Sequence, residues 1–76
     1  MYDTSKLKGK IIEVFGSQGA FAARIKRSQA FISGVLNGKA YLNQKDIDLW
    51  AELLGIPGEE LAAYFFTRTV HDNELN

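Results

Sequence analysis

The stretch "SQGAFAARIKRSQAFISGVLNGK", residues 17–39, constrains the fold more than any other part of the chain. It carries two short apolar sets. Phe21, Ala22 and Ile25 form the first, and Ile32, Val35 and Leu36 the second. Each set falls on one face of an α-helix. Ser17 and Ser28 stand where N-caps are favoured, and Asn37-Gly38 is a stop signal. The spacing predicts helices over about 18–25 and 29–36. So short a link forces a sharp corner, and two helices meeting at one form a helix-turn-helix.

The rest of the chain keeps the same rhythm. Leu7, Ile11, Val14 and Phe15 predict a helix over about 5–15, capped by Thr4 or Ser5 and stopped at Gly16. Asn43, with Asp46 three residues on, opens a helix over about 44–54. Its inward face is Ile47, Trp50, Ala51 and Leu54, and Gly55 ends it. Pro57 suits the first turn of a fifth helix, about 58–66, carrying Leu61 and Phe65. From Thr67, "FTRTV" is β-prone and "HDNELN" reads as a frayed tail. The expected architecture is all-α: one compact five-helix domain over 1–70 and a short tail over 71–76. At 76 residues the chain can build only one core. It has no cysteine, which removes disulfides and thiol chemistry and fits a reducing cytoplasm. No apolar run approaches the ~18 residues of a membrane span, and the first ten residues lack a signal peptide's apolar stretch.

Net charge is zero, but the charge is not evenly spread. Residues 1–39 hold seven Lys and Arg against two acidic residues, and 40–76 hold two against seven. Such asymmetry suits a polyanionic partner, and equally two solvated faces that balance each other. The second helix of the corner sharpens the question. With Ile32, Val35 and Leu36 inward, Ser28, Gln29, Ala30, Ser33 and Gly34 face elsewhere. If that helix lies in a DNA major groove, its N-terminal residues reach base edges. Gln29 can pair with adenine, Ser28 and Ser33 can donate or accept, and Ala30 offers a methyl to thymine. Arg24, Lys26, Arg27 and Lys39 bracket the helix and suit phosphates. Gln18 adds its amide to the free N–H groups of a helix start. Yet Phe31, Ala30 and Gly34 also make a small apolar surface suited to packing on another protein.

Enzyme chemistry has little to stand on. His71, the one histidine, lies in the expected tail with no partner at metal-ligand spacing. Asp46, Asp48 and Glu52 read as a solvated face, and the glycines form no phosphate-binding motif. No metal or cofactor is expected. Tyr64 and Phe66 cannot share the face of Leu61 and Phe65, so one or both would be exposed and would suit a dimer contact.

The residue 17–39 segment resembles the helix-turn-helix of the Cro/repressor-like (XRE) family. From "YDTSKLKGKI" to "LLGIPGEELAAYFF", roughly 2–70, the chain is similar to small phage Cro-like proteins. Gln18, Ala22, Gln29, Ile32 and "LNGK" at 36–39 are the matching positions. The resemblance implies a lambda-repressor-like domain and a repressor of a temperate phage or prophage that binds double-stranded operator DNA as a dimer. It also implies roles: Gln18 on phosphate, Gln29 and Ala30 on bases with Ser33 beside them, Asn37 and Lys39 on the backbone. The chain departs from the family at the turn, with Lys26 where glycine is usual and Arg27 where an apolar residue is usual. The rival expectation is an antirepressor or modulator that keeps the fold but binds a cognate phage repressor protein, and an antitoxin is a third.

Overall fold

The computed structural model describes residues 3–66, which form five α-helices. They are α1 (Ser5–Phe15), α2 (Gln18–Ile25), α3 (Gln29–Leu36), α4 (Gln44–Leu54) and α5 (Leu61–Phe65). A single 3-10 turn, Gly58–Glu60, precedes α5, so the expected fifth helix divides at its first turn. The expected tail, 71–76, and His71 with it lie outside the described residues.

Side chains start three of the helices. Ser17 Oγ accepts from the Ala20 N–H at 3.0 Å, Ser28 Oγ from Phe31 N–H at 3.0 Å, and Asn43 Oδ1 from Asp46 N–H at 2.8 Å. Helix α1 starts differently from expectation. Neither Thr4 nor Ser5 caps it with its side chain. The Asp3 carboxylate instead accepts from both the Ser5 N–H at 2.9 Å and the Ser5 hydroxyl at 2.6 Å. Those bonds, the hydroxyl's first, hold the Asp3 carboxyl below its usual pKa. Thr4 Oγ1 is thereby free to donate to the Leu36 carbonyl, fastening the start of α1 to the end of α3.

Trp50 of α4 sits at the centre of the core. Phe21 meets it edge-on at 4.8 Å, and Phe31 and Phe65 approach its ring at 6.4 and 6.5 Å. One indole thus joins α2, α3, α4 and α5 through edge-to-face contacts, each worth about 0.5–1.5 kcal/mol beyond the area it buries. Leu7 and Ile11 of α1 and Ile32 of α3 are fully buried around it. Ile56, in the link after α4, is buried as well. Val14 departs from the predicted stripe and is 45% exposed. The chain reverses at Gly16 and Phe15 pairs with Phe21 at 5.0 Å, so the core covers Phe15 and leaves Val14 outside.

Tyr64 requires the larger correction. Expected as a surface contact, it is buried at 7% exposure, while Leu61 and Phe65 are only half-buried. Its ring lies under the α1 ammonium groups of Lys6, at 4.9 Å, and Lys10, at 5.9 Å. With α5 only five residues long and packed on α1, the inward side is set by where it docks, not by a long periodic face. Phe66 is exposed, as one of that pair was expected to be.

Candidate nucleic-acid interface

The corner between α2 and α3 is closed by backbone bonds. Arg27 N–H donates to the Ala22 carbonyl at 3.0 Å, and Lys26 N–H to the Ala23 carbonyl at 3.2 Å. This is a Schellman motif, which requires a left-handed residue just past the helix. Lys26 takes that conformation, with φ 60° and ψ 41°, and among the described residues it is the one non-glycine with positive φ. Lys26 thus holds the conformation for which glycine is usual at this turn. The same pair of bonds ends α4, where Ile56 N–H reaches Ala51 O and Gly55 N–H reaches Glu52 O. There the left-handed residue is Gly55, at φ 71°.

Arg27, the second departure at the turn, does not leave the corner bare. Its guanidinium carbon lies 3.7 Å from the centre of the Phe31 ring. The same half-buried ring meets Trp50 nearly at right angles, at 6.4 Å. Arg27 thus covers from outside what an apolar residue would cover from within, through a cation–π contact. Phe31, expected as a protein-contact residue, is therefore occupied by the chain's own side chains. Gly34 too has a neighbour within the chain. A Cβ placed on it would point at Ala40 Cβ, 3.5 Å away, and its carbonyl accepts from the Lys39 and Ala40 N–H groups. Its bare side faces the chain's own turn.

Ser28, Gln29 and Ala30 are exposed at the start of α3, and Asn37 and Lys39 just past its end. Gln29, Ser33 and Asn37 are spaced by four and form a row along one side of the helix. The first of them leans on α2, where the Gln29 amide oxygen lies 3.4 Å from where a Gly19 Cβ would be. Lower on the row, Ser33 is half-buried. It lines a polar depression of about 300 Å³ with Gln18, Asn37 and the α1 residue Lys8. Ser33 thus belongs with the residues expected at phosphates as much as with those expected at bases. Lys8 and Gly19 received no role from the sequence. The signal for Lys8 was its place one helical turn after Thr4, the residue that fastens α1 to α3.

Arg24, Lys26, Arg27, Lys39 and Lys8 are exposed, and among the described residues none pairs with a carboxylate. The remaining α1 lysines are spent elsewhere. Lys6 and Lys10 lie over Tyr64, and Lys10 also reaches Glu13 at 3.5 Å. Desolvation lowers the Lys10 pKa, but Glu13 and Tyr64 outweigh it and leave the group above its ordinary value. The basic half of the sequence thus divides into Lys6 and Lys10, engaged by Tyr64, and five exposed cations, of which Arg24, Lys26 and Arg27 stand at the α2–α3 corner. A second concavity, apolar and about 260 Å³, lies between α1, the 38–42 loop and α5, with Tyr41 and Phe66 exposed at its edge. Among the described residues no group of acidic or histidine side chains could hold a metal ion, and no helix is long and apolar enough to cross a membrane.

A protein-family model described as "Protein of unknown function (DUF739)" matches residues 1–68. No curated protein matches the chain.

Proposed function

The chain belongs to the DUF739 family, whose function is unknown, and on that premise we propose that it is a sequence-specific DNA-binding repressor, Cro-like, of a temperate phage or prophage. Helix α3 enters the operator major groove, and Ser28, Gln29 and Ala30 read base edges. Gln18, Asn37 and the corner cations hold phosphates. The observation that carries this reading is the start of α3: capped by Ser28, exposed over Ser28, Gln29 and Ala30, on a helix bracketed by cations that pair with no carboxylate among the described residues. The cytoplasm is the compartment where such a protein would act.

Arg24, Lys26, Arg27, Lys39 and Lys8 bound to phosphates correspond to a slope of log K against log salt near −4 to −5. Fluorescence anisotropy with DNA flanking the protein's own gene, against a shuffled duplex, tests the reading. Gln29→Ala should cost about 1–3 kcal/mol at one base position and flatten preference there. Lys39→Ala should weaken both duplexes alike. Binding indifferent to salt, or equal for the two duplexes, refutes it.

The second reading is a modulator that binds a cognate repressor protein. Phe31 and Gly34, which favoured it in the sequence, have partners within the chain. What still favours it is the apolar concavity edged by Tyr41 and Phe66. The same duplex assayed with and without the neighbouring repressor separates the two: a modulator alters the repressor's shift and gives none alone. A homodimer belongs to the first reading, since paired half-sites one helical turn apart call for two recognition helices.

A further inference from the structure

We propose that Gly19 is a specificity-determining position that reads no base itself, because its missing side chain seats the base-reading amide of Gln29. The inference rests on the DNA-binding reading above. Three glycines lie inside helices, and a Cβ at each meets something different. At Gly9 it meets nothing within 4 Å, at Gly34 a methyl of the adjoining turn. At Gly19 it meets the end of the Gln29 side chain, with Oε1 at 3.4 Å and Cδ at 3.8 Å, and Ser17 Oγ at 3.9 Å. Gln29 is the first residue of α3, and Gly19 is the second of α2. The two helix starts are thus placed so that the amide of one lies across the bare backbone of the other.

The consequence is a limit on where Gln29 can go. Glutamine has three side-chain torsions, and an exposed one ordinarily samples many rotamers. Backing by α2 removes those directed into that helix and leaves the amide free to settle closer to it. A methyl at position 19 would touch the amide at ordinary contact distance and bar that closer approach. Bidentate pairing with a base needs both amide atoms aligned, so a narrower range of positions for the amide is felt. Glycine in a helix is destabilising relative to alanine, so a helix with no need for that space is better served by alanine. Gly19 therefore sets fold stability against base reading.

The test is Gly19→Ala in the full chain, beside Gln29→Ala and the double variant. The melting midpoint should rise by about 4 °C. Affinity for the preferred duplex should fall about 3- to 10-fold, affinity for a shuffled duplex should stay unchanged, and so should the salt slope. In the Gln29→Ala background, Gly19→Ala should have no effect on discrimination, because there is no amide left to seat. Side-chain amide NMR of free Gln29 should show a shifted or broadened pair of resonances in Gly19→Ala. Unchanged discrimination by Gly19→Ala in a protein that does discriminate overturns the proposal, and so does an equal loss in the Gln29→Ala background. If the wild-type protein discriminates no duplex, the DNA-binding reading fails, and unchanged Gln29 amide resonances then overturn the seating on their own.

Discussion

Replacing Lys26 with glycine should stabilise the fold, and the structure supplies its own controls. Lys26 holds the left-handed conformation that the Schellman motif needs. For an L-residue that conformation costs about 1–2 kcal/mol. Glycine removes the cost but loses about 0.4–1 kcal/mol through its freer unfolded chain. The Lys26 side chain is exposed and makes no ion pair among the described residues, so its removal costs little. The net gain is about 0.5–1 kcal/mol, or roughly 4 °C for a domain of this size. Lys26→Ala keeps the strain and removes the same charge, so it should match wild type within about 0.5 kcal/mol. Gly55→Ala imposes the same strain at the end of α4 and should lose about 1 kcal/mol. Urea and thermal unfolding followed by Trp50 fluorescence and circular dichroism give all four stabilities, with equal m-values as the check on two-state behaviour. If Lys26→Gly is no more stable than Lys26→Ala, left-handed strain is not what that position carries.

Other substitutions test separate parts of the same account. Ser28→Ala removes the cap of α3 and should cost about 1 kcal/mol, with raised hydrogen exchange at the Phe31 amide. Gly34→Ala meets Ala40 at ordinary contact distance and should gain about 0.5–1 kcal/mol with DNA binding unchanged, whereas lost binding would show that a partner needs that bare backbone. Asp3 has a folded pKa below its unfolded value, so its contribution is present above the unfolded pKa and is lost as pH falls through the folded one. Asp3→Asn should therefore destabilise at neutral pH and narrow its gap to wild type toward pH 3. A gap constant from pH 7 to pH 2 would show that the Ser5 bonds do not depend on the carboxylate's charge.

The helices were legible because nearly all of their starts and stops in 5–54 are written locally. Ser17, Ser28 and Asn43 act within three residues of where they stand, and Gly16 and Gly55 end what precedes them. What the sequence did not disclose depends on partners far along the chain. Tyr64 is inward because α5 docks beneath Lys6 and Lys10, more than fifty residues earlier. Thr4 does not cap α1 because the Leu36 carbonyl takes its hydroxyl. The candidate site divides in the same way. The exposure of Ser28, Gln29 and Ala30 follows from helical period alone. The cover that Arg27 gives Phe31, and the placing of Ser33 beside Gln18 and Lys8, come from how the corner folds.

Where a chain chooses against its own local preferences, function is the first explanation to test. Here those choices gather on one surface. The left-handed residue at the end of α4 is glycine, as backbone strain demands, whereas the one at the α2–α3 corner is a lysine. Helical glycines stand at 19 and 34, both beside or within α3, although alanine is the better helix former. Gly9 is the exception: it lies in α1 with open space around it, and nothing in the structure explains it. The other departures differ in kind. Gly34 is accounted for by the turn that packs on it and needs no partner. Lys26 places a charge where the fold alone would place none, and Gly19 keeps a space where the fold alone would fill one. Gly19 lies against Gln29 and Lys26 stands in the turn that leads into α3, so the reading of α3 as the surface that meets another molecule stands most firmly on positions where stability is forgone.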